Sequence, residues 1–429
     1  MDDFPWEAGK FFSSGGRVPR RLDVHKIGIS TLHRLARRLS ICGIVALVLC
    51  AGGARAEESE LRWRWDLFLE EMVSYDSNVF RLSDKLRDRR EEDRPGDRIS
   101  GRFDNMDSES DVVVSSNLVL VSKVTGFGDR RIRIIPSIRN DYFTHNDSKS
   151  HMTFGLSVDR DLRSGTNISL DLAYELNVFA KNYLLDATDL TGSVSASERV
   201  YDRGEYDEAF VGITYETRLW KRKKKTESFL DARRIEGFAE LGYARRDYDR
   251  PFFNRDRNVV NLALGVTTKF SKRWKLDLGY EFEFVSTGNG KEVLVRDEPD
   301  FGIDFNGNGN TEDLKRRTEQ RVDRSRMDHS VDLRLRYDIT KRWETWAAYR
   351  FGFQDYFSEE RFDTHRDRKD LGHSVQAGVG WEIDSRWSLE LEGRWLKEEA
   401  NKRAFGDDEE RDTDYERFIV SFGVIVRFF

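Results

Sequence analysis

Between Val260 and Phe284 the chain alternates apolar and polar residues through two arms joined by Ser271-Lys272-Arg273. Val260, Leu262, Leu264, Val266 and Phe270 mark one face of the first arm, and Trp274, Leu276, Leu278, Tyr280, Phe282 and Phe284 one face of the second. A period of two sends successive side chains to opposite faces, so each arm is a strand with one apolar and one polar side. The tight polar link makes the pair a hairpin. Arms of about ten residues or more are roughly twice the usual length in a water-soluble sheet, and they suit a tilted crossing of a bilayer.

The same unit recurs along the chain. Strands are expected on Trp63 to Tyr75, on Val112 to Leu120, on Ile132 to Tyr142 and on Met152 to Val158. Others follow on Ile168 to Val178, on Ala209 to Leu219 and on Ile235 to Arg245. After the hairpin come Val331 to Tyr337, Thr345 to Phe353, Val375 to Trp381, Trp387 to Trp395 and the closing strand. Pro136 removes a ladder donor from the third strand and predicts a bulge there. A loop is expected from Lys181 to about Tyr206, and another from Ser286 to about Arg326. The count is about fourteen, with short and long links alternating, which predicts an all-β, antiparallel up-and-down transmembrane barrel. Three short links share one form: Ser271-Lys272-Arg273-Trp274, Thr340-Lys341-Arg342-Trp343 and Asp384-Ser385-Arg386-Trp387. Their tryptophans should gather at one membrane interface as part of an aromatic girdle.

Composition fits that reading and few others. Charged residues make up 35% of the chain and the mean hydropathy is -0.68, which alone would suggest disorder. Disordered chains are poor in aromatic residues and lack periodicity, whereas this one is 12% aromatic with only 6 prolines. A barrel reconciles the numbers, because lipid meets one apolar band while the lumen and loops hold the charges. A net charge of -6 against 72 basic and 78 acidic residues gives no nucleic-acid footprint.

Residues 1 to 56 read as a signal peptide with an extended n-region, leaving 57 to 429 as the barrel. Arg34, Arg37 and Arg38 precede an apolar run from Ile41 to Ala51, and Ala54-Arg55-Ala56 offers a small-x-small cleavage site. The run is too short to span a bilayer as a helix. Both cysteines, Cys42 and Cys50, fall inside this leader, so the mature chain has no thiol chemistry.

The chain ends on Phe418, Val420, Phe422, Val424, Val426 and Phe428 on one face, with Arg417, Ser421, Gly423 and Arg427 on the other. In this the chain resembles Gram-negative outer-membrane β-barrel proteins, porin-like ones among them. Their terminal insertion signal is matched by Ser421, Gly423, Val426 and Phe428, with Phe429 as one extra aromatic residue. The resemblance implies a bacterial outer-membrane location and two partners, outer-membrane lipid and a barrel-assembly machinery that reads this end. Tyr75-Asp76-Ser77-Asn78-Val79-Phe80 is similar to a segment in the barrel of surface lipoprotein assembly modifiers, and it equally reads as an Asx-turn with an aromatic anchor at the outer rim. No helical-repeat domain separates Ala56 from Trp63, which weighs against the assembly-modifier reading.

The candidate functional residues lie on the polar faces. Asp277, Glu281 and Glu283 should face the lumen from one strand, Arg334 and Arg336 from the next, Arg350 from the one after, and Glu390, Glu392 and Arg394 further round. Mixed charges around water would give a channel a transverse field; alternatively, neighbouring acid and base ladders pair and fill the bore. Asp304, Asn306 and Asn308, with Gly309 sixth and Glu312 ninth, follow a calcium loop, although Lys315 stands where its twelfth-position glutamate belongs. The same residues also read as a flexible Asn-Gly surface loop, and no other cofactor is expected. The histidines His145, His151, His329, His365 and His373 form no metal-spaced pair and lie in or beside expected loops. No catalytic constellation emerges, so the expected activity is passage and not chemistry. A porin-like channel for small hydrophilic solutes, an export or assembly barrel for polysaccharide or lipoprotein, and a closed structural or adhesive barrel all remain compatible with these residues.

Overall fold

A computed structural model describes residues 62–82, 87, 107–127, 130–163, 165–184, 201–221, 234–249, 256–287, 292–295, 319–322, 325–357, 368–400 and 414–428. The expected leader, residues 1 to 56, and the expected calcium loop from Asp304 to Glu312 lie outside the described residues.

The long strands are β1 (Arg62–Asp76), β2 (Asp111–Phe127), β3 (Arg130–Phe143), β4 (His151–Arg163), β5 (Thr166–Leu184), β6 (Tyr201–Lys221), β7 (Arg234–Tyr248), β8 (Arg257–Lys269) and β9 (Trp274–Thr287). They continue as β12 (Arg326–Asp338), β13 (Trp343–Tyr356), β14 (Lys369–Glu382), β15 (Trp387–Ala400) and β16 (Tyr415–Arg427), while β10 (Glu292–Val295) and β11 (Glu319–Val322) form a separate antiparallel pair in the link between β9 and β12. The fourteen long strands close into one antiparallel barrel in which each pairs with its sequence neighbour in the barrel, and β1 pairs with β16.

Alternation decides which side of the wall each residue takes. Leu262, Leu264, Leu278, Tyr280, Leu333, Leu335, Tyr349, Val375, Leu391 and Phe422 are all exposed, and they occupy the outward positions of their strands. Between them the polar residues are buried or half-buried on the inward side. A sheet with this facing puts its largest apolar side chains where a soluble protein would put its charges. Such an outer band is what hydrocarbon around the barrel requires.

Pro136 does not bulge its strand. The register of β3 runs unbroken past it on both sides, to Leu156 on β4 and, with the positions opposite Leu120 and Val121 skipped, to β2. The missing donor costs ladder positions and inserts no residue; the β2–β3 shift lies instead between Val124 and Phe127, next to the turn. The expected loop from Lys181 to Tyr206 is shorter than its polar sequence suggested, because β5 and β6 pair out to Leu184 and Tyr201. Shifts at Glu175/Val178 and Phe179/Lys181, and Asn177 at φ 53°, break the alternation that would have announced the far ends of those two expected strands. The loop expected from Ser286 to Arg326 contains the β10–β11 pair.

The three Trp-bearing turns fold alike. Ser271 Oγ accepts the N–H groups of Arg273 and Trp274, both at 3.0 Å, and Thr340 Oγ1 accepts those of Arg342 and Trp343, both at 3.1 Å. Asp384 Oδ1 does the same for Arg386 at 2.7 Å and Trp387 at 3.0 Å. The first residue must therefore carry a short side-chain acceptor, which is what serine, threonine and aspartate share. Each turn is also stitched to the next strand end: Arg273 O accepts Asp338 N–H, Arg342 O accepts Glu382 N–H and Arg386 O accepts Arg427 N–H, at 2.7 to 2.9 Å. The tryptophans emerge on the outer face, Trp274 at 4.4 Å from Tyr337 and Trp343 stacked at 5.1 Å on Trp381.

Candidate functional site: the charged inner wall

The inward positions of β9 and β12 to β16 bring most of the expected lumen residues together. Arg336 bonds to Asp277 through Nε at 3.0 Å and through a terminal nitrogen at 2.6 Å, while Thr267 donates to the other carboxylate oxygen at 2.6 Å. Arg350 reaches across β12 to Glu281 at 2.5 Å, bonds to Ser330 Oγ at 2.7 Å and lies 3.5 Å from Asp332. Glu283 sits opposite Asp328 in the register and is 5% exposed, in the neighbourhood of Arg326. Arg394 donates to Ser374 Oγ at 3.2 Å. Arg334 stacks at 4.0 Å over the Trp346 ring and has no acid within ion-pair distance among the described residues. Glu390 and Glu392 lie opposite Gly423 and Ser421 of the closing strand.

The pairs run along the wall. Asp277 to Arg336 joins neighbouring strands, Glu281 to Arg350 skips one, and Arg133 to Asp159 at 2.9 Å and Arg246 to Glu208 at 2.7 Å again join neighbours. Each neutralises charge locally, and among the described residues none of these pairs joins opposite walls. Toward the short-turn end, a cavity of about 780 Å³ opens on the β3 to β9 side, lined by Arg131, Arg133, Asp161, Arg218, Arg234 and Glu236.

Aromatic side chains also face inward, which the polar-face pattern did not reveal. Phe210, Phe238 and Trp346 lie over glycines of adjacent strands, Gly242, Gly265 and Gly378 respectively. A Cβ at Gly378 would meet the Trp346 ring at 2.7 Å, so glycine lets the indole lie flat against the wall. The sequence signal was present: a glycine on the strand next to a large inward aromatic residue.

At the long-loop end the segment after β1 folds against the inner wall. Asn78 N–H bonds to Asp76 Oδ1 at 3.0 Å, the Asx-turn the sequence offered. The Asn78 side chain, fully buried, donates to Leu82 O and Glu416 O and accepts Leu82 N–H. Val79, Phe80 and Leu82 form an apolar cluster with Phe179 and Phe143, and Phe80 meets Phe179 edge-on at 6.4 Å. The anchor therefore points into the mouth on the β1 to β5 side. His329 and His373, expected in or beside loops, lie within β12 and β14, where Tyr280 and Tyr349 hydroxyls pair with their Nδ1 atoms at 2.8 Å. Among the described residues no group of acids and histidines could hold a metal ion.

No protein-family model and no curated protein matches the chain. Among solved structures it is similar to an anion-selective porin from Comamonas acidovorans, at 12% identity and a TM-score of 0.35 over 86% of this chain and 100% of that one. It is likewise similar to a bacterial polysaccharide outer membrane secretin (10%, TM-score 0.40, 85% and 98%) and to the outer membrane channel DcaP of Acinetobacter baumannii (11%, TM-score 0.40, 87% and 99%).

Proposed function

We propose that the chain is a bacterial outer-membrane barrel that acts as a porin-like channel for small hydrophilic solutes. The observation that carries this reading is the inner wall itself, where acids and bases pair laterally between near-neighbour strands, none of these pairs among the described residues crossing the bore, inside a barrel whose outer band is apolar. Unpaired Arg334, near Glu390 and Glu392, gives the wall a residual field that would orient a polar solute. Outer-membrane lipid surrounds the band, and barrel-assembly machinery reads Ser421, Gly423, Val426 and Phe428 during insertion.

A closed barrel is the second reading, favoured by the inward-packed cluster of Val79, Phe80 and Leu82. Single-channel recording in planar bilayers separates the two. Discrete conductance steps support the channel; a protein that inserts and stays silent over a wide voltage range overturns it.

A further inference from the structure

The three Trp-bearing turns hold five basic residues, Lys272, Arg273, Lys341, Arg342 and Arg386, all exposed. Their situation differs from that of the basic residues on the inner wall. There Arg336, Arg350, Arg246, Arg417 and Arg427 each sit against a carboxylate. Among the described residues none of the five turn residues makes an ion pair, and the one side-chain bond they form is from Arg273 to Tyr337 Oη at 3.4 Å. The nearby acids are directed elsewhere. Asp384 accepts backbone N–H groups of its own turn, and Asp338, Glu344 and Glu382 occupy inward positions of their strands.

The turns also stand in a fixed row. Each is stitched to the next strand end through its arginine carbonyl, and successive turns are two strands apart, or about 10 Å at ordinary strand spacing. Directly beside the charges, on the outer face, are Trp274 with Tyr337, Trp343 with Trp381, and Trp387. Such rings seek the boundary between hydrocarbon and headgroup, which sets the height of the five cations at the phosphate layer. Unpaired cations held at that height in a rigid row complement phosphodiester anions, and each is worth about 1 kcal/mol near an anionic surface.

We infer that this arc, from the β8–β9 turn to the β14–β15 turn, binds the headgroups of anionic phospholipid in the leaflet at the short-turn end. The inference rests on the membrane-spanning reading and concerns the outer rim, so it is independent of whether the bore conducts.

The test is tryptophan quenching by brominated lipid, with the full chain inserted in vesicles of mixed phosphatidylcholine and phosphatidylglycerol. Brominating one lipid at a time reports the composition next to the outward tryptophans. The expected result is a severalfold enrichment of phosphatidylglycerol over its bulk fraction, diminishing as salt screens the charges. Lys272→Gln, Arg273→Gln, Lys341→Gln, Arg342→Gln and Arg386→Gln together should bring the ratio to parity, while Ser271, Thr340 and Asp384 keep the turns folded. Should the fivefold variant fail to insert, variants neutralising one turn at a time should each remove part of the enrichment. Parity in the wild-type chain, as expected if the rim docks an acidic protein instead, overturns the inference, as does enrichment that survives neutralisation. Absence of quenching by either lipid overturns the membrane reading and this inference with it; conductance steps together with parity overturn this inference alone.

Discussion

Arg417 and Asp76, 341 positions apart in the chain, meet at the long-loop end of the seam that closes the barrel. Arg417 Nε lies 2.9 Å from each Asp76 oxygen, and their side chains are 12% and 3% exposed. The β1–β16 register covers Phe68 to Asp76, the shortest set of pairings around the barrel. Side chains compensate. Ser74 Oγ donates to Ser421 Oγ at 2.8 Å two residues from Asp76, and Asp66, paired with both Arg427 and Lys123 at 2.5 Å, fastens the short-turn end. Removing Arg417 by substitution with alanine leaves a buried carboxylate without its charge partner, so about 3 to 5 kcal/mol of stability should be lost. Unfolding by urea in lipid vesicles measures this. Asp76→Ala with Arg417→Ala should cost less than the two single changes summed, and strict additivity would mean the pair is not coupled.

The turn chemistry makes a narrower prediction. Thr340→Ala removes the acceptor for Arg342 N–H and Trp343 N–H, while Thr340→Ser keeps it. The turn is exposed, so water replaces part of what is lost and the expected cost is about 0.5 to 1.5 kcal/mol for alanine and near zero for serine. Equal stability of the two variants would show that the hydroxyl does not hold the turn.

Phe428, the last residue of the expected insertion signal, also has a structural place. Phe428 N–H bonds to Leu67 O at 2.9 Å, and its ring is exposed on the outer face. Deleting Phe428 and Phe429 should lower the amount of heat-modifiable protein in the outer membrane severalfold. Wild-type amounts of the truncated chain would remove Ser421, Gly423, Val426 and Phe428 from any role in insertion.

Strand existence and facing were legible because period-two alternation is a local property. Leu278 and Asp277 took opposite sides as their positions required, and the tryptophans of the three S/T/D-x-R-W turns, Trp274, Trp343 and Trp387, share the outer face at the short-turn end. Long-range pairing was not legible. That Arg350 chooses Glu281, two strands away, over Asp332 directly opposite depends on side-chain reach across the wall, which spacing does not encode. The inward anchor Phe80 was hidden for a related reason. Its partners Phe143 and Phe179 lie 63 and 99 positions further along the chain, in strands whose ends the polar loops obscured.

The final prediction sets the two faces of one strand against each other. Leu278 is 50% exposed on the outer side of β9, while Glu281 holds Arg350 on the inner side. Leu278→Arg places a charge against hydrocarbon and should cost roughly 2 to 4 kcal/mol near the midplane. Glu281→Gln keeps an acceptor for Arg350 but removes its counter-charge, at a cost on the order of 1 kcal/mol, because both groups are largely but not fully buried. The guanidinium keeps Asp332 at 3.5 Å, but the wall loses one negative charge beside it and should draw anions, so the reversal potential under a salt gradient should move toward the anion equilibrium value. Folding free energy in vesicles and reversal potential are measured together. If Leu278→Arg is tolerated and Glu281→Gln stabilises, the facing of β9 is inverted. If both fold as expected and the reversal potential stays fixed, Glu281 does not border the conducting path.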